Sequence, residues 1–184
     1  MGLNLIFMED NIEQLKYPIG KFQYTTGPDE LTISLERISS LPGRLRSAVS
    51  GLTIDQLDTP YRAGGWTLRQ VIHHIADSHM NAYMRFKLAV TEENPEIRPY
   101  DEARWAECEE AKHGEVELSL NLLDALHKRL VIFLKSLNSG DLNRTYYHPA
   151  SKKKSKIIEV LSMYAWHGDH HLAHILSAKD RNKW

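Results

Sequence analysis

Apolar residues recur at spacings of three and four in four long stretches, the period typical of one face of an α-helix. In chain order, the stretches comprise Leu31, Ile33, Leu35, Ile38, Leu41, Leu45 and Val49; Leu68, Val71, Ile72, Ile75, Ala82, Tyr83 and Phe86; Leu118, Leu122, Leu123, Leu126, Leu130, Phe133, Leu134 and Leu137; and Ile157, Ile158, Val160, Leu161, Tyr164, Ala165 and Leu172. Alternation of apolar and polar residues, which would indicate a strand, does not extend over any length. The pattern therefore predicts four helices and an all-α protein.

Capping and breaking residues predict where these helices begin and end. Asp29 offers an N-cap to the first helix, and the Pro42-Gly43 pair predicts a kink or break within it. Thr67 and Gln70 have the spacing of a capping box, so the second helix begins just after Trp66. The fourth helix is expected over about residues 156–179.

The connections predict the domain organisation. Residues 1–28 contain several proline and glycine breakers and are predicted to form an N-terminal arm. Residues 92–114 hold two prolines and many charges, which predicts a long crossing loop with one short helix near 101–107. Residues 29–184 are therefore predicted to be a single domain, a four-helix bundle with long crossover connections.

Composition limits the partners and the compartment. The 184 residues are 42% hydrophobic and 26% charged with a net charge of −1, so we expect neither nucleic acid nor a membrane as partner. The single cysteine, Cys108, excludes an internal disulfide and a thiolate-rich zinc site, and fits a reducing cytoplasm. The apolar start of the chain lacks a basic region and ends after eight residues, which is too short for a signal core or a membrane span.

Histidines in the fourth helix carry the first indication of chemistry. His167 and His171 lie one helical turn apart, so two imidazoles can reach one ion. His170 and His174 repeat that spacing on the same face. The alternative is a polar helix face whose histidines bond to backbone or carboxylate groups. Because catalytic zinc sites usually hold three protein ligands, a further ligand must come from elsewhere in the chain.

The second dense histidine region, residues 69–79, is the source we expect for the third ligand. It offers His73, His74 and His79. Periodicity favours His79, which lies at the centre of the apolar stripe, whereas His74 lies at its flank. For each of them alone, a structural histidine is the simpler interpretation.

Other catalytic signatures do not fit. The fourth helix lacks the glutamate that follows the first histidine of zincins. Glu110 and His113 have the spacing of a di-iron motif but lie in a predicted loop, while Asp124 and His127 are expected to form an exposed pair on an amphipathic helix. Cys108 has no local feature that would activate it. A nucleophile generated on a metal ion is therefore favoured.

Several segments of the chain resemble the YfiT (BstA) group of the DinB-like metalloenzyme superfamily. The segments are Tyr17–Gly20, Thr59–Thr67, Arg69–Asn81, Arg98–Asp101, Tyr147–Pro149 and Trp166–Ile175. The resemblance implies a four-helix bundle, a cytoplasmic homodimer, and one divalent ion held by His74, His167 and His171. His79 remains the fallback for the third ligand.

The resemblance implies less about the activity than about the fold and the metal ligands. Members of that group are described as metal-dependent hydrolases, and some resemble transferases that join a low-molecular-weight thiol such as bacillithiol to an electrophile. A small-molecule substrate and a zinc or nickel ion are therefore expected; the alternative is a non-catalytic metal-binding or stress-related bundle. Asp77, Asp169 and His174 are candidates for orienting the ligand rings. Gly168-Asp169 and the basic residues 152–156 depart from the group's pattern, so substrate identity is not transferred.

Overall fold

The computed structural model describes residues 12–184. Its elements are α1 (Glu30–Val49), α2 (Ile54–Leu57), α3 (Leu68–Thr91), α4 (Glu102–Trp105), α5 (Glu109–His113), α6 (Val116–Lys135), α7 (Ser139–Leu142), β1 (Thr145–His148), β2 (Lys153–Lys156) and α8 (Ile157–Asn182). The four long helices α1, α3, α6 and α8 are the four that the apolar stripes predict, so the predicted helical bundle is confirmed. α1 packs on α6 and α8, and α3 packs on the same two helices.

The core divides into two apolar clusters along the bundle axis. One cluster includes Leu41, Leu45, Leu68, Ile72, Leu123 and Ile175, and the other includes Ile38, Phe86, Leu130, Leu134, Ile157 and Leu161. Along α8 the apolar residues of one cluster end at Ala165 and those of the other begin at Leu172. His167, His170 and His171 therefore lie between the two halves of the core along α8.

Local signals account for the start of α3 but not for the course of α1. Thr67 and Gln70 form the predicted capping box, with Gln70 N donating to Thr67 Oγ1 at 3.1 Å and Thr67 N donating to Gln70 Oε1 at 2.9 Å. Asp29 occupies the N-cap position of α1 without a side-chain cap bond, and Pro42 lies inside a helix that continues to Val49. The predicted break does not occur, because burial of Leu41 and Leu45 on both sides of the proline stabilises the helix.

A short antiparallel hairpin departs from the all-helical prediction. β1 and β2 pair from Thr145 with Lys156 to His148 with Lys153. Its strands are four residues long and mostly polar, so they leave no alternating pattern in the sequence. β1 also bonds to the crossing segment, since Ile97 N donates to the Tyr147 carbonyl at 3.0 Å. The hairpin thereby holds the long connection between α3 and α6 against the bundle.

The predicted arm, residues 1–28, is described only in part, because residues 1–11 lie outside the described residues. Residues 12–16 are helical, and most of 17–28 lacks regular structure. The Lys16 carbonyl and the Tyr17 ring lie against histidines of α8. Across residues 12–184, every helix is too short or too polar to cross a bilayer.

Candidate metal centre

His74 of α3 and His167 and His171 of α8 meet where the two helices pack. One ring nitrogen from each lies within 4.8 Å of the other two, and the Nε2 atoms of His74 and His167 are 3.2 Å apart. His74 and His171 are buried, with 4% and 8% of their surfaces exposed. The structure thus brings together the three histidines that the resemblance implies.

The three nitrogens fit a divalent ion by spacing and by chemistry. Two nitrogens bound to one tetrahedral zinc at about 2.0–2.1 Å lie roughly 3.3–3.4 Å apart, close to the His74–His167 separation. A ligating imidazole must be neutral. Burial lowers the pKa of His74 to about 4 and the pKa values of His167 and His171 well below their usual range. All three rings are therefore neutral near pH 7 and present lone pairs to a cation.

A row of histidines fixes the orientation of His167. His167 Nδ1 lies 3.4 Å from His79 Nε2, His79 Nδ1 lies 2.9 Å from His127 Nε2, and His127 Nδ1 lies 2.6 Å from the Ile38 carbonyl oxygen. Because a carbonyl only accepts, His127 must donate from Nδ1, and each neutral ring along the row must then donate from Nδ1 in turn. His167 is left with its lone pair on Nε2, the atom beside His74.

Pro42 explains why the Ile38 carbonyl is available. In a helix this carbonyl would accept from the amide of the residue four positions on, which is Pro42, and proline has no N–H. The unused carbonyl accepts from His127 of α6 instead. The proline that looks like a helix breaker in the sequence therefore provides the acceptor at the end of the histidine row.

A second, shorter row orients His171. His171 Nδ1 lies 3.4 Å from His174 Nδ1, and His174 Nε2 lies 3.1 Å from the Lys16 carbonyl oxygen. His174 must donate from Nε2 to that carbonyl, so it accepts from His171, whose lone pair is left on Nε2. The Tyr61 ring stacks on His174 with centroids 4.1 Å apart. His174 thus has the orienting position that the sequence suggests for it.

Other candidates from the sequence lie elsewhere. His73 bonds to Ser119 Oγ and the Gly114 carbonyl, as a structural histidine does. Asp169 does not orient a ligand ring; it pairs with Arg37 and Arg44 of α1.

Asp77 and His79 do not occupy the positions that the sequence analysis considers for them, Asp77 as an orienting residue and His79 as the third ligand. The half-buried Asp77 carboxylate makes no hydrogen bond to a ligand ring among the described residues, and burial raises its pKa to about 6. His79 is fully buried and lies outside the group of three, bonded to His127 and His167.

His127 is the residue of the histidine row that the sequence analysis places wrongly. The sequence predicts an exposed pair with Asp124, but only 1% of the surface of His127 is exposed, and Asp124 pairs with Lys128 instead. The available signal is its spacing from Leu123 and Leu130, which places all three residues on the buried face of α6.

The three histidines line a cavity of about 460 Å³. Aromatic rings form much of its wall, from Tyr17, Tyr61, Trp66 and Trp166. Lys16, Arg62 and Glu102 contribute its charges. Two buried polar atoms on this wall, Trp166 Nε1 and His170 Nδ1, have no hydrogen-bond partner among the described residues. The cavity can therefore hold a small molecule and offers polar atoms to orient it.

Taken together, the fold and the site define a helical bundle with a candidate three-histidine metal centre at the wall of a cavity. Residues 37–175 match the model of the DinB superfamily. The chain belongs to that superfamily.

Similar proteins have the same overall extent. A Bacillus mycoides protein named "putative metal-dependent hydrolase" is 50% identical over 175 residues, covering 94% of this chain and all of the relative. A protein of that name from Oceanobacillus iheyensis is 52% identical over 171 residues, covering 92% of this chain and 98% of the relative. The structure of YfiT from Bacillus subtilis, described as a "probable metal-dependent hydrolase with an unusual four-helix bundle topology", is 43% identical with a TM-score of 0.91, covering 93% and 99% of the two chains.

Proposed function

We propose that this protein is a metal-dependent enzyme, in which His74, His167 and His171 hold one divalent ion, zinc or nickel, and a small molecule reacts in the adjoining cavity. The observation that carries the proposal is the convergence of three neutral ring nitrogens within 4.8 Å of one another at the wall of that cavity. Imidazole suits several first-row metals. The names of the relatives favour hydrolysis as the reaction class.

Each group of residues has a separate task in this proposal. The three histidines hold the cation, and the rows through His127 and His174 keep the correct nitrogen directed at it. When bound, the ion supplies Lewis acidity, which lowers the pKa of a water or thiol that it coordinates. His170 Nδ1 and Trp166 Nε1 bind polar atoms of the substrate, and the aromatic wall packs against its apolar part.

Thiol transfer is a second candidate, favoured by the charges at the cavity. Lys16 and Arg62 outnumber the single carboxylate of Glu102, so the lining favours an anionic reactant. A small thiol bearing carboxylates has that charge, and a metal ion holds such a thiol as the nucleophilic thiolate. The hydrolase and the transferase would then share one centre and differ in whether water or thiol attacks.

Metal binding is tested by elemental analysis and thermal unfolding of the full-length protein. We expect purified protein to retain zinc or nickel, and the melting temperature of metal-stripped protein to rise when either ion is returned. His171→Ala removes a ligand and should abolish the rise, whereas His113→Ala alters an exposed histidine outside the centre and should preserve it. A wild type that neither retains metal nor responds to it would contradict the proposal.

The two reactions are separated by their nucleophile. Metal-loaded protein is incubated with monochlorobimane and a low-molecular-weight thiol, and in parallel with p-nitrophenyl acetate in the absence of thiol. Bimane conjugate above the His171→Ala background supports transfer, and nitrophenol release above that background supports hydrolysis. Metal binding without either activity, across a panel of electrophiles, esters and amides, would favour the non-catalytic metal-binding or stress-related bundle.

We also propose that the protein acts in the cytoplasm as a homodimer, as the resemblance implies. Sedimentation equilibrium of full-length protein tests the dimer, and a monomer mass across the micromolar range would contradict it. Cell fractionation tests the compartment.

A further inference from the structure

Arg85 of α3 is a buried cation with no anionic partner among the described residues. Only 8% of its surface is exposed. Its Nη1 donates to the Tyr164 hydroxyl at 3.1 Å, and no carboxylate of residues 12–184 lies within ion-pair distance of it. Burying a charge costs free energy unless the charge is paired, so an anion bound to this guanidinium would stabilise it.

The groups around Arg85 do not neutralise it. Tyr164 accepts the hydrogen bond, and the Tyr100 ring lies 6.0 Å from the guanidinium carbon. Burial raises the pKa of Tyr100 to about 12 and also raises the pKa of Tyr164, so both phenols are uncharged at neutral pH. The positive charge of Arg85 is therefore retained.

Arg85 lines a cavity of about 540 Å³ between α3 and the crossing segment. Most of the cavity wall is apolar, formed by Met84, Leu88, Ile97, Pro99, Tyr100 and Trp105. Its charged lining residues are Arg85, Arg98 and Asp101, and Asp101 Oδ1 already accepts from Arg104 N at the start of α4 at 3.0 Å. The cavity thus combines an apolar wall with one excess positive charge.

This cavity is separate from the cavity of the candidate metal centre. The two share no lining residue, and the neighbouring residues Asp101 and Glu102 line different ones. Tyr164 connects them, since it accepts from Arg85 and its ring lies 5.9 Å from the His167 ring. A ligand of Arg85 would be bound near the metal centre but outside it.

We propose that this cavity is a second binding site, for an organic oxyanion whose carboxylate or phosphate pairs with the Arg85 guanidinium and whose apolar body packs on Trp105 and Met84. The planar guanidinium presents donors that match both oxyanions. An apolar cavity with a few directed polar groups is the usual form of a small-molecule site.

Three probes of one shape test the charge requirement: 2-naphthoate, 2-naphthyl phosphate and the neutral 2-naphthamide. Binding to the full-length protein is measured by titration calorimetry, and by the change in tryptophan fluorescence that is lost in Trp105→Phe, since Trp105 is the tryptophan that lines this cavity. We expect at least one anion to bind about tenfold or more tightly than the amide, because the amide cannot pair with the cation. The preferred anion identifies the ligand as a carboxylate or a phosphate ester. Equal affinities for all three, or no binding, would overturn the proposal.

Substitutions place the bound probe. Arg85→Gln should reduce the affinity for the preferred anion to that for the amide. Met84→Trp keeps the cation and fills the half-exposed edge of the cavity, so it should reduce the affinity for both the anion and the amide. Arg62→Gln and His171→Ala alter only the metal-centre cavity and should leave the affinity unchanged. Loss of binding in Arg62→Gln with retention in Arg85→Gln would overturn the proposal. Failure of the metal proposal would not, since these measurements need no metal.

Discussion

Nε2 of His127 lies 2.9 Å from Nδ1 of His79, and this contact links a buried histidine on α6 to His79 of α3 and, through it, to His167 of α8. Neither residue belongs to the group of three nitrogens, yet the Ile38 carbonyl at the far end of the row determines which nitrogen of His167 carries the lone pair. The affinity of the centre for metal should therefore depend on His127.

We predict that His127→Phe weakens zinc binding by about 10- to 100-fold, because it leaves His79 without its acceptor and releases the orientation of His167. His127→Gln should lose much less, since an amide can donate to Ile38 and accept from His79. Zinc affinity is measured by competition with a chromogenic chelator, and the ring tautomers of the metal-free protein by ¹⁵N NMR of histidine. Wild-type affinity and tautomers in both variants would contradict this role.

Gly168 should resist substitution because α1 passes close to α8 beside His167. A Cβ built at Gly168 would overlap Leu41 Cδ2, and Leu41 is a core residue with only 1% of its surface exposed. We predict that Gly168→Ala lowers the free energy of unfolding by about 1–3 kcal/mol. Gly43→Ala is the control, because its Cβ meets nothing within 4 Å and alanine is the better helix former, so stability should rise by up to about 1 kcal/mol. Urea unfolding measures both, and a change of the same sign would refute the packing argument.

Asp169 should stabilise the bundle without contributing to metal binding. Its carboxylate pairs with Arg37 Nε at 2.6 Å and Arg44 Nη1 at 2.7 Å, joining α8 to α1. These side chains are partly exposed, so we predict that Asp169→Asn costs about 1 kcal/mol or less and leaves zinc affinity unchanged. Asp124→Asn, which breaks an exposed pair within one helix, should cost still less. Loss of zinc affinity in Asp169→Asn would restore the orienting role suggested by the sequence.

Mildly acidic pH should destabilise the metal-free protein. Burial lowers the pKa of His74 and of His127 to about 4, while unfolded histidine titrates near 6.5. Between these values the unfolded chain binds more protons than the folded one, so stability falls as the pH drops from about 6.5 towards 4. Asp77, whose pKa is raised to about 6, acts in the opposite direction but is one group against many histidines. A melting temperature that stays level between pH 7 and pH 5 would contradict this expectation.

The four long helices could be predicted because their apolar stripes are long and regular, and the start of α3 because Thr67 and Gln70 form a local capping box. The β hairpin could not, since its stability comes from pairing rather than from an apolar pattern in its sequence.

In the candidate site, too, a local pattern in the sequence could be recognised, whereas the packing of one helix on another could not. Periodicity identifies His79 as the central residue of its stripe, and the central residue is buried against His127 of α6, whereas the flanking His74 faces α8. Which histidine meets His167 and His171 is decided by how α3 and α8 pack, which stripe position alone does not encode. Only the resemblance indicated His74.

The two histidine rows end on backbone carbonyls, and this has an electrostatic consequence. Many metal-ligating histidines are oriented by carboxylates, whose negative charge offsets part of the charge of the cation. Here the outer groups are neutral peptide oxygens of Ile38 and Lys16. A bound dication would keep nearly its whole formal charge and would act as a strong electrophile. Its attraction for anions would then be limited mainly by Glu102, the one acidic side chain among the residues that line its cavity.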